Sequence, residues 1–548
     1  MIKSRYYNSN FITFLFFFIF LLIGIFTFKD YGIGIDDKFH RLNGFYWLNY
    51  LLSFTDFEGL KNIINLKLLE ISDLSLPSII KYNNYSIIFD VPAAFAEIIF
   101  KIENPKEYYQ FRHLLNFIFF YVGSIFFFKI LKLRFNKFVA FFGTCLFIIS
   151  PRLYGDSFYN MKDIIYLTFL TISYYYCLKC FNSLSIKNLF ILAILSAASI
   201  QIRILGLAIP ASLISFYFLD CLSKTYNLKN FYKIFFYFIL TIIITYLLWP
   251  YLWPSPIENF IGSFHNIIPE IYVLFNGNYV NNSFLPYSYV PVWILISTPI
   301  IHLILFFSGF IYLLKRLFNR IVNINEQNIS YDFWNGKNEK FDVFIFLNFL
   351  ILTILIIFLN VRLFNTWKHL YFLNFYIIYF ASFSLHLLYI LFRKNMIRFN
   401  VMHLIILINI FFVVFRMHNY HPYQGLYFNF LITDKIKSNF EIDFTALSAK
   451  HFFDNIFKLE KDSEKIFIAA ASWTPLIRTL DIYSKSKKDK IILLGQNYQK
   501  ADYIYSNNIS EVDKKSDDKY DIPNNFIKLY DFEVDGAILY TVYKKNNL

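Results

Sequence analysis

Apolar residues run through this chain in blocks of about 12 to 25, broken by short polar turns, until roughly residue 429. The first block is Phe11–Phe28. Others follow at about Leu114–Leu131, Phe138–Ile149 and Asp163–Phe181, then as a hairpin of two over Leu189–Leu222. Phe235–Trp249, Val290–Leu314, Phe341–Leu359, His369–Phe392 and Phe399–Phe415 complete the set. The pattern predicts a polytopic α-helical membrane protein of about 11 transmembrane helices. Between the first two blocks, Asp36–Phe54 and Ile87–Ile102 are amphipathic and aromatic, and read as helices lying in the interface. After Asn429 the period changes. Lys465–Ala471, Lys490–Leu494, Ala501–Tyr505, Phe526–Phe532 and Gly536–Tyr543 read as strands, with a helix at Trp473–Tyr483.

Two units follow: a transmembrane unit, 1–428, and a small α/β unit, 429–548. Residues 29–111 and 250–289 form the two large outer loops. Lys3 and Arg5 precede the first block and no small-residue cleavage site follows it, so we read an uncleaved first span with a cytoplasmic N-terminus. With 11 spans, the short basic turns around Lys132–Lys137, Lys179–Lys187, Lys224–Lys233, Lys315–Arg320 and Arg393–Arg398 all fall inside. The C-terminal unit then lies outside, which in a bacterium is the periplasmic side of the inner membrane. Residues 151–162 read as a short outer loop.

Composition adds two exclusions. The formal net charge of +14 suggests nucleic acid, but acids and bases are nearly balanced after Asp434. The excess lies in the membrane half, in the turns between apolar blocks, as the positive-inside rule requires. The four cysteines, Cys145, Cys177, Cys180 and Cys221, all sit in or beside apolar blocks. They make no disulfide framework, and the lone Cys177–Cys180 pair lacks the second pair of a metal site.

Candidate chemistry sits just beyond the ends of the apolar blocks. Asp36 and Asp37 follow the first one. On a helix starting there, Asp36 shares a face with His40 and Asp37 with Arg41. Arg41 would neutralise Asp37 and leave Asp36 free as a base tuned by His40; a helix cap with a surface ion pair explains the same residues. Arg152, Lys162 and Asp163 fall at the same membrane face, where ionisable groups usually line a cavity. Asp163 also suits a helix cap. Lys368 and His369 reach that face from another turn. Arg203 stands alone in an apolar run, as a ligand contact or as a snorkelling side chain.

One carboxylate among cations suits glycosyl transfer from a lipid phosphate. The leaving phosphate needs cations rather than an acid, and one base suffices to deprotonate the acceptor hydroxyl. The sequence resembles the GT-C glycosyltransferases, and among them family 39, the protein O-mannosyltransferase and aminoarabinose transferase group. The matching stretches are Asp36-Asp37 with His40 and Gly44, and Ser150-Pro-Arg with Phe158-Tyr-Asn-Met-Lys-Asp163. Trp249-Pro-Tyr-Leu-Trp-Pro-Ser-Pro256, Trp367-Lys-His-Leu-Tyr-Phe372 and His421-Pro-Tyr-Gln424 also match. The resemblance implies a polyprenyl-phosphate sugar donor, inversion at the anomeric carbon and Asp36 as the base. Our reading of the residues adds Asp37 and Asp163 as further catalytic acids and places His40, Arg152, Lys162, Arg203, Lys368, His369 and Trp253 against substrate. It leaves open a divalent metal, which Asp36 and Asp163 would hold. Two departures are the second acid, Asp37 where Glu is usual, and Lys368 where Arg is usual. The acceptor is a glycan, lipid or protein. The competing reading, a lipid-linked-sugar flippase or a binding member without catalysis, predicts charge along a path through the bilayer. This chain gathers it at one face.

Overall fold

The computed structural model describes residues 2–71, 84–222, 230–264, 270–322, 334, 336–359, 361–364, 366–510 and 518–546. Lys224, Lys229 and Asn360, and parts of both large outer loops (72–83 and 265–269), lie outside them. The helices are α1 Ile2–Thr27, α2 Asp37–Leu52, α3 Glu58–Ile71, α4 Asp90–Ile99, α5 Pro105–Arg134, α6 Lys137–Ile148, α7 Pro151–Tyr159, α8 Asp163–Asn182, α9 Ile186–Ile202, α10 Ala208–Leu222, α11 Phe231–Leu248 and α12 Pro256–Gly262. After a hairpin (β1 Tyr272–Phe275, β2 Asn278–Asn281) come α13 Tyr289–Ser297, α14 Ile300–Val322, α15 Gly336–Phe358, α16 Leu373–Phe392, α17 Met396–Asn419 and α18 Asp434–Lys437.

The chain is a polytopic α-helical membrane protein. Nine helices among the described residues are long and apolar enough to cross a bilayer. The α6–α7 pair, bent by 63°, passes the same test taken together, as a broken span or a re-entrant loop, and α9 is a shorter apolar helix of 17 residues, so nine to ten spans among the described residues stand against the 11 expected. Helix direction alternates along the chain. The C-terminal ends of α1 and α9 and the N-terminal ends of α8 and α16 therefore share one face. The opposite face carries basic groups held by buried acids: Arg134 on Asp342 at 2.7 Å, Arg316 on Glu339 at 2.9 Å, and Lys340 on Asp220.

Three expectations need correction. Pro151–Lys162 is not a loop: Pro151 opens α7, where its missing N–H costs nothing. The span Val290–Leu314 is broken between α13 and α14 at Thr298-Pro299, because the residue before proline is pushed out of the helical region. Finally, α2 and α4 do not lie singly on a surface. They pack with α3, which the sequence pattern did not reveal, around Leu42, Phe45, Leu48, Ile64, Ile71 and Ala94. The close approach of α2 to α4 requires Gly44, since a Cβ there would lie 2.3 Å from the Asp90 carbonyl oxygen.

The C-terminal region holds α19 Ala449–Leu459, β3 Ile466–Ala470, α20 Leu476–Leu480, α21 Lys485–Lys488, β4 Ile491–Leu493, β5 Tyr503–Ser506, β6 Phe526–Val534 and β7 Ala537–Lys545. The five strands form one sheet in the order β4-β3-β5-β7-β6, with β3 parallel to both β4 and β5. β6 and β7 pair antiparallel across Asp535-Gly536, both at positive φ. The expected helix at Trp473–Tyr483 shortens to α20 because Pro475 delays its start.

This sheet region is tied to the helices. Asp535 accepts from Arg416 at 2.7 Å and from the Tyr420 hydroxyl at 2.5 Å. More telling is its grip on the Asp36 loop. The Ile35 N–H donates to the Thr445 carbonyl at 3.0 Å, Arg478 donates to the Ile35 carbonyl, and Lys38 pairs with Asp481 at 3.1 Å. Gly32 is required where the loop passes under this region: a Cβ would lie 2.6 Å from the Leu447 carbonyl oxygen.

Candidate functional site

Asp36 is the residue just before α2. Its backbone carbonyl accepts the first helical bond, from His40 N–H at 3.0 Å, so its side chain is free to point away from the helix. The side chain keeps 58% of its surface open although protein surrounds the cleft it sits in. Lys368, at the N-terminal approach to α16, donates to it at 3.2 Å. Burial alone would raise the carboxyl, but the Lys368 ammonium, His40 and Arg478 outweigh it and hold Asp36 below the ordinary carboxylate range. Asp36 is thus ionised at neutral pH and reachable from solvent.

Asp37 is different. It is fully buried, and its Oδ2 accepts from the Gly34 N–H at 2.9 Å and from His113 at 2.8 Å. The expected Asp37–Arg41 pair does not form. Arg41 turns to Glu97, bonding at 2.9 and 2.6 Å, and lies over the Tyr108 ring. The reason is tertiary: Glu97 on α4 and His113 on α5 offer buried partners that outcompete an i,i+4 pair in water. These contacts make Asp37 a pin that shapes the Gly34–Asp36 turn.

His40 also takes a tertiary partner. Its Nδ1 lies 3.0 Å from Asp90, which in turn accepts from Asn43 at 2.7 Å. Burial lowers its basicity, but the Asp90 carboxylate more than restores it, so His40 titrates above its ordinary value.

The cations come from three helix ends. Lys162 precedes α8 and its ammonium lies 3.7 Å above the Tyr85 ring; no carboxylate bonds it among the described residues. Burial and then Arg203 draw it down to about 7. Arg203 closes α9 and is held by Asp163, Nε to Oδ1 at 2.7 Å. Asp163 does not cap its own helix: the Asn160 side chain accepts the Asp163 N–H at 3.0 Å and donates back to its carboxylate at 3.2 Å. Asp163 is therefore a buried anchor for Arg203. His369, buried beside Arg203, Lys368 and Lys162, is pushed well below its ordinary value by burial and by those three charges, and is neutral.

Asp36, His40, Lys162, Arg203, Lys368 and His369 are thus brought together. Arg152 sits beyond Lys368, on the wall of the small cavity behind it. It donates to the Tyr427 carbonyl at 2.9 Å and lies against both Trp293 and Phe428. Trp253 is not in the cluster. It packs on Tyr50 and Phe54 at the far end of α2, roughly 20 Å along the helix from Asp36. Among the described residues no three His, Cys, Asp or Glu side chains gather to hold a metal. Asp163 is already taken by Arg203 and Asn160, so the donor set does not fit one.

No family model and no curated protein matches the sequence. The solved structures give a likeness. ArnT from Cupriavidus metallidurans, crystallised bound to undecaprenyl phosphate, aligns with 96% of this chain and 97% of its own at 8% identity and a TM-score of 0.46.

Several residues at the site carried no readable signal in the sequence. Tyr85 and Phe444, which face Lys162 and Lys368, are two aromatics among many in an aromatic-rich chain. Arg478 reaches the residue before Asp36 from 443 positions away. Asp90 is legible only as an acid flanking an amphipathic stretch; its pairing with His40 depends on how α4 crosses α2.

Proposed function

We propose that this protein is a membrane glycosyltransferase that moves a sugar from a polyprenyl-phosphate donor to an acceptor hydroxyl, with inversion, at the outer face of a bacterial inner membrane. The observation that carries the reading is the solvent-open Asp36 carboxylate surrounded by Lys368, Lys162, Arg203 and His40 at one end of the helices. Residues 429–548 act in this reading as an extracytoplasmic unit facing the acceptor.

Asp36 takes the proton of the acceptor hydroxyl as its oxygen attacks the anomeric carbon. The bond from that carbon to the phosphate oxygen breaks, and its electron pair leaves with the polyprenyl phosphate. Lys368, Lys162 and Arg203 stabilise the charge that develops there. A carboxylate held below its usual range is a weak base in the empty site. Donor phosphate entering beside Lys368 divides that ammonium's field and raises the basicity of Asp36 when the acceptor arrives.

The test is transfer from radiolabelled polyprenyl-phosphate sugars to total membrane acceptors by the purified full chain. Wild type should label an acceptor and Asp36→Asn should not, with donor binding retained. Wild-type turnover by Asp36→Asn would remove the base; donor binding without transfer by either protein would move the reading to a transporter.

A further inference from the structure

A second concave site lies at the carboxyl ends of β3 and β4. It is a crevice of about 460 Å³, lined by Ser472, Trp473, Thr474, Leu476, Gly495 and Gln496 among others. Its position follows from topology. The chain leaves β3 for β4 on one side and then crosses to β5 on the other, and such a switch opens a crevice beyond the strand ends where ligands bind. Its size falls in the range of small-molecule sites.

The lining limits the ligand class. A dinucleotide needs a glycine-rich first turn so that backbone can approach the pyrophosphate. Here that turn reads Ala471-Ser472-Trp473-Thr474-Pro475, with no glycine. Trp473 instead presents an aromatic face. It is 38% exposed, and its ring is stacked on Phe444 with centroids 6.5 Å apart. Around it are hydroxyl and amide groups. Ser472 is 1% exposed, and its hydroxyl has no hydrogen-bond partner among the described residues, a desolvation cost that a ligand would relieve. An aromatic platform edged by short polar groups fits a pyranose, which has a C–H face and a rim of hydroxyls.

The crevice adjoins the reacting end. Phe444, which backs Trp473, lies 4.7 Å from the Lys368 ammonium, and Lys368 lies 3.2 Å from Asp36. Arg478 of α20, the helix that begins at the crevice-lining Leu476, bonds the Ile35 carbonyl. We propose that this crevice is a saccharide-binding subsite that holds the acceptor, so that the acceptor is itself a glycan. Its role as acceptor subsite rests on the transfer reaction proposed above; the binding of saccharide does not.

The experiment is saturation-transfer NMR on the full-length protein in detergent, with maltose, cellobiose, mannobiose and chitobiose as probes. At least one should receive saturation from wild type and from Asp36→Asn. The signal should fall at least fivefold in Trp473→Ala and in Gln496→Ala, and return in Trp473→Phe, which keeps a platform. Gln496 is exposed, so its variant reports on the crevice even where Trp473→Ala misfolds. Absence of saturation with wild type, or a signal unchanged in Gln496→Ala and Trp473→Ala, overturns the subsite. Loss of membrane-acceptor transfer with saccharide binding intact would instead count against the transfer reaction alone.

Discussion

Lys162 offers the most demanding check on the site, because its charge should change within the working pH range. Burial and Arg203 bring it down to about 7. A sugar phosphodiester carries one charge that does not titrate near neutrality, so the pH dependence of donor binding belongs to the protein. Phosphate favours the charged lysine. Affinity is therefore full below pH 7 and lost as the pH rises through it. The charged fraction of a group near 7 falls from about nine-tenths at pH 6 to about one-tenth at pH 8, so apparent donor affinity should weaken about tenfold, or ~1.4 kcal/mol. Among its neighbours, Asp36 titrates far below this window and His369 is neutral throughout it. His40, raised above its ordinary value by Asp90, adds its own share to the slope. Equilibrium binding of a polyprenyl-phosphate sugar without acceptor, from pH 5.5 to 9, measures the slope. Lys162→Arg keeps its charge and should remove the Lys162 share while leaving that of His40. Lys162→Met should bind weakly with the same shallow slope. A flat wild-type profile, or an Arg variant as steep as wild type, would refute the assignment.

Other outcomes follow from the same geometry. Asp36→Asn should lower kcat by about 10²–10⁴, while Asp37→Asn, the same change one residue on, should keep turnover within about tenfold and instead cost about 1–3 kcal/mol of stability, read by thermal unfolding in detergent. Gly44→Ala drives a methyl against the Asp90 carbonyl; about 1–3 kcal/mol of overpacking should appear as a lower Tm, with His40 losing its partner. Arg478→Met should lower kcat more than it raises donor Kd, since it releases the Ile35 carbonyl and removes a cation that acts on Asp36 while Lys368, Lys162 and Arg203 stay in place, and Arg478→Lys should restore part of it; a purely donor-binding defect would contradict the contact.

The helices were readable because crossing a bilayer takes long apolar blocks, and the charged residues beyond their ends had to meet because alternate ends share a face. That is why Asp36, Lys162, Arg203 and Lys368 converge as their positions suggested. Local spacing failed where a tertiary partner was stronger. Asp37 and Arg41 sit one turn apart, yet each is claimed by a residue dozens of positions away, His113 and Glu97. Trp253 was misplaced for the opposite reason: a loop motif carries no information on which end of α2 it reaches. α3 has too weak an apolar stripe to stand out, and Arg478 is an ordinary basic residue until the sheet lays it on Ile35.

Charge accounting explains why one open acid among several cations is enough. Arg203 is matched by Asp163 and His40 by Asp90, while Lys368 and Arg478 act on Asp36, and Lys162, to which no carboxylate is bonded among the described residues, faces it as well. In the proposed reaction the acceptor proton neutralises Asp36 as the departing phosphate gains a second negative charge. The total within the site is the same before and after; negative charge has only moved from the carboxylate to the phosphate. A cation between the two needs no new counterion, only a short swing. Lys368, 3.2 Å from Asp36 on a flexible four-carbon stem, can follow that charge. A planar guanidinium clamped in a bidentate pair would have to break it first. A lysine at position 368 is therefore compatible with the chemistry, and Lys368→Arg should hold Asp36 more tightly and slow transfer more than it weakens donor binding. Equal kcat for the two would show that the swing is not part of the reaction.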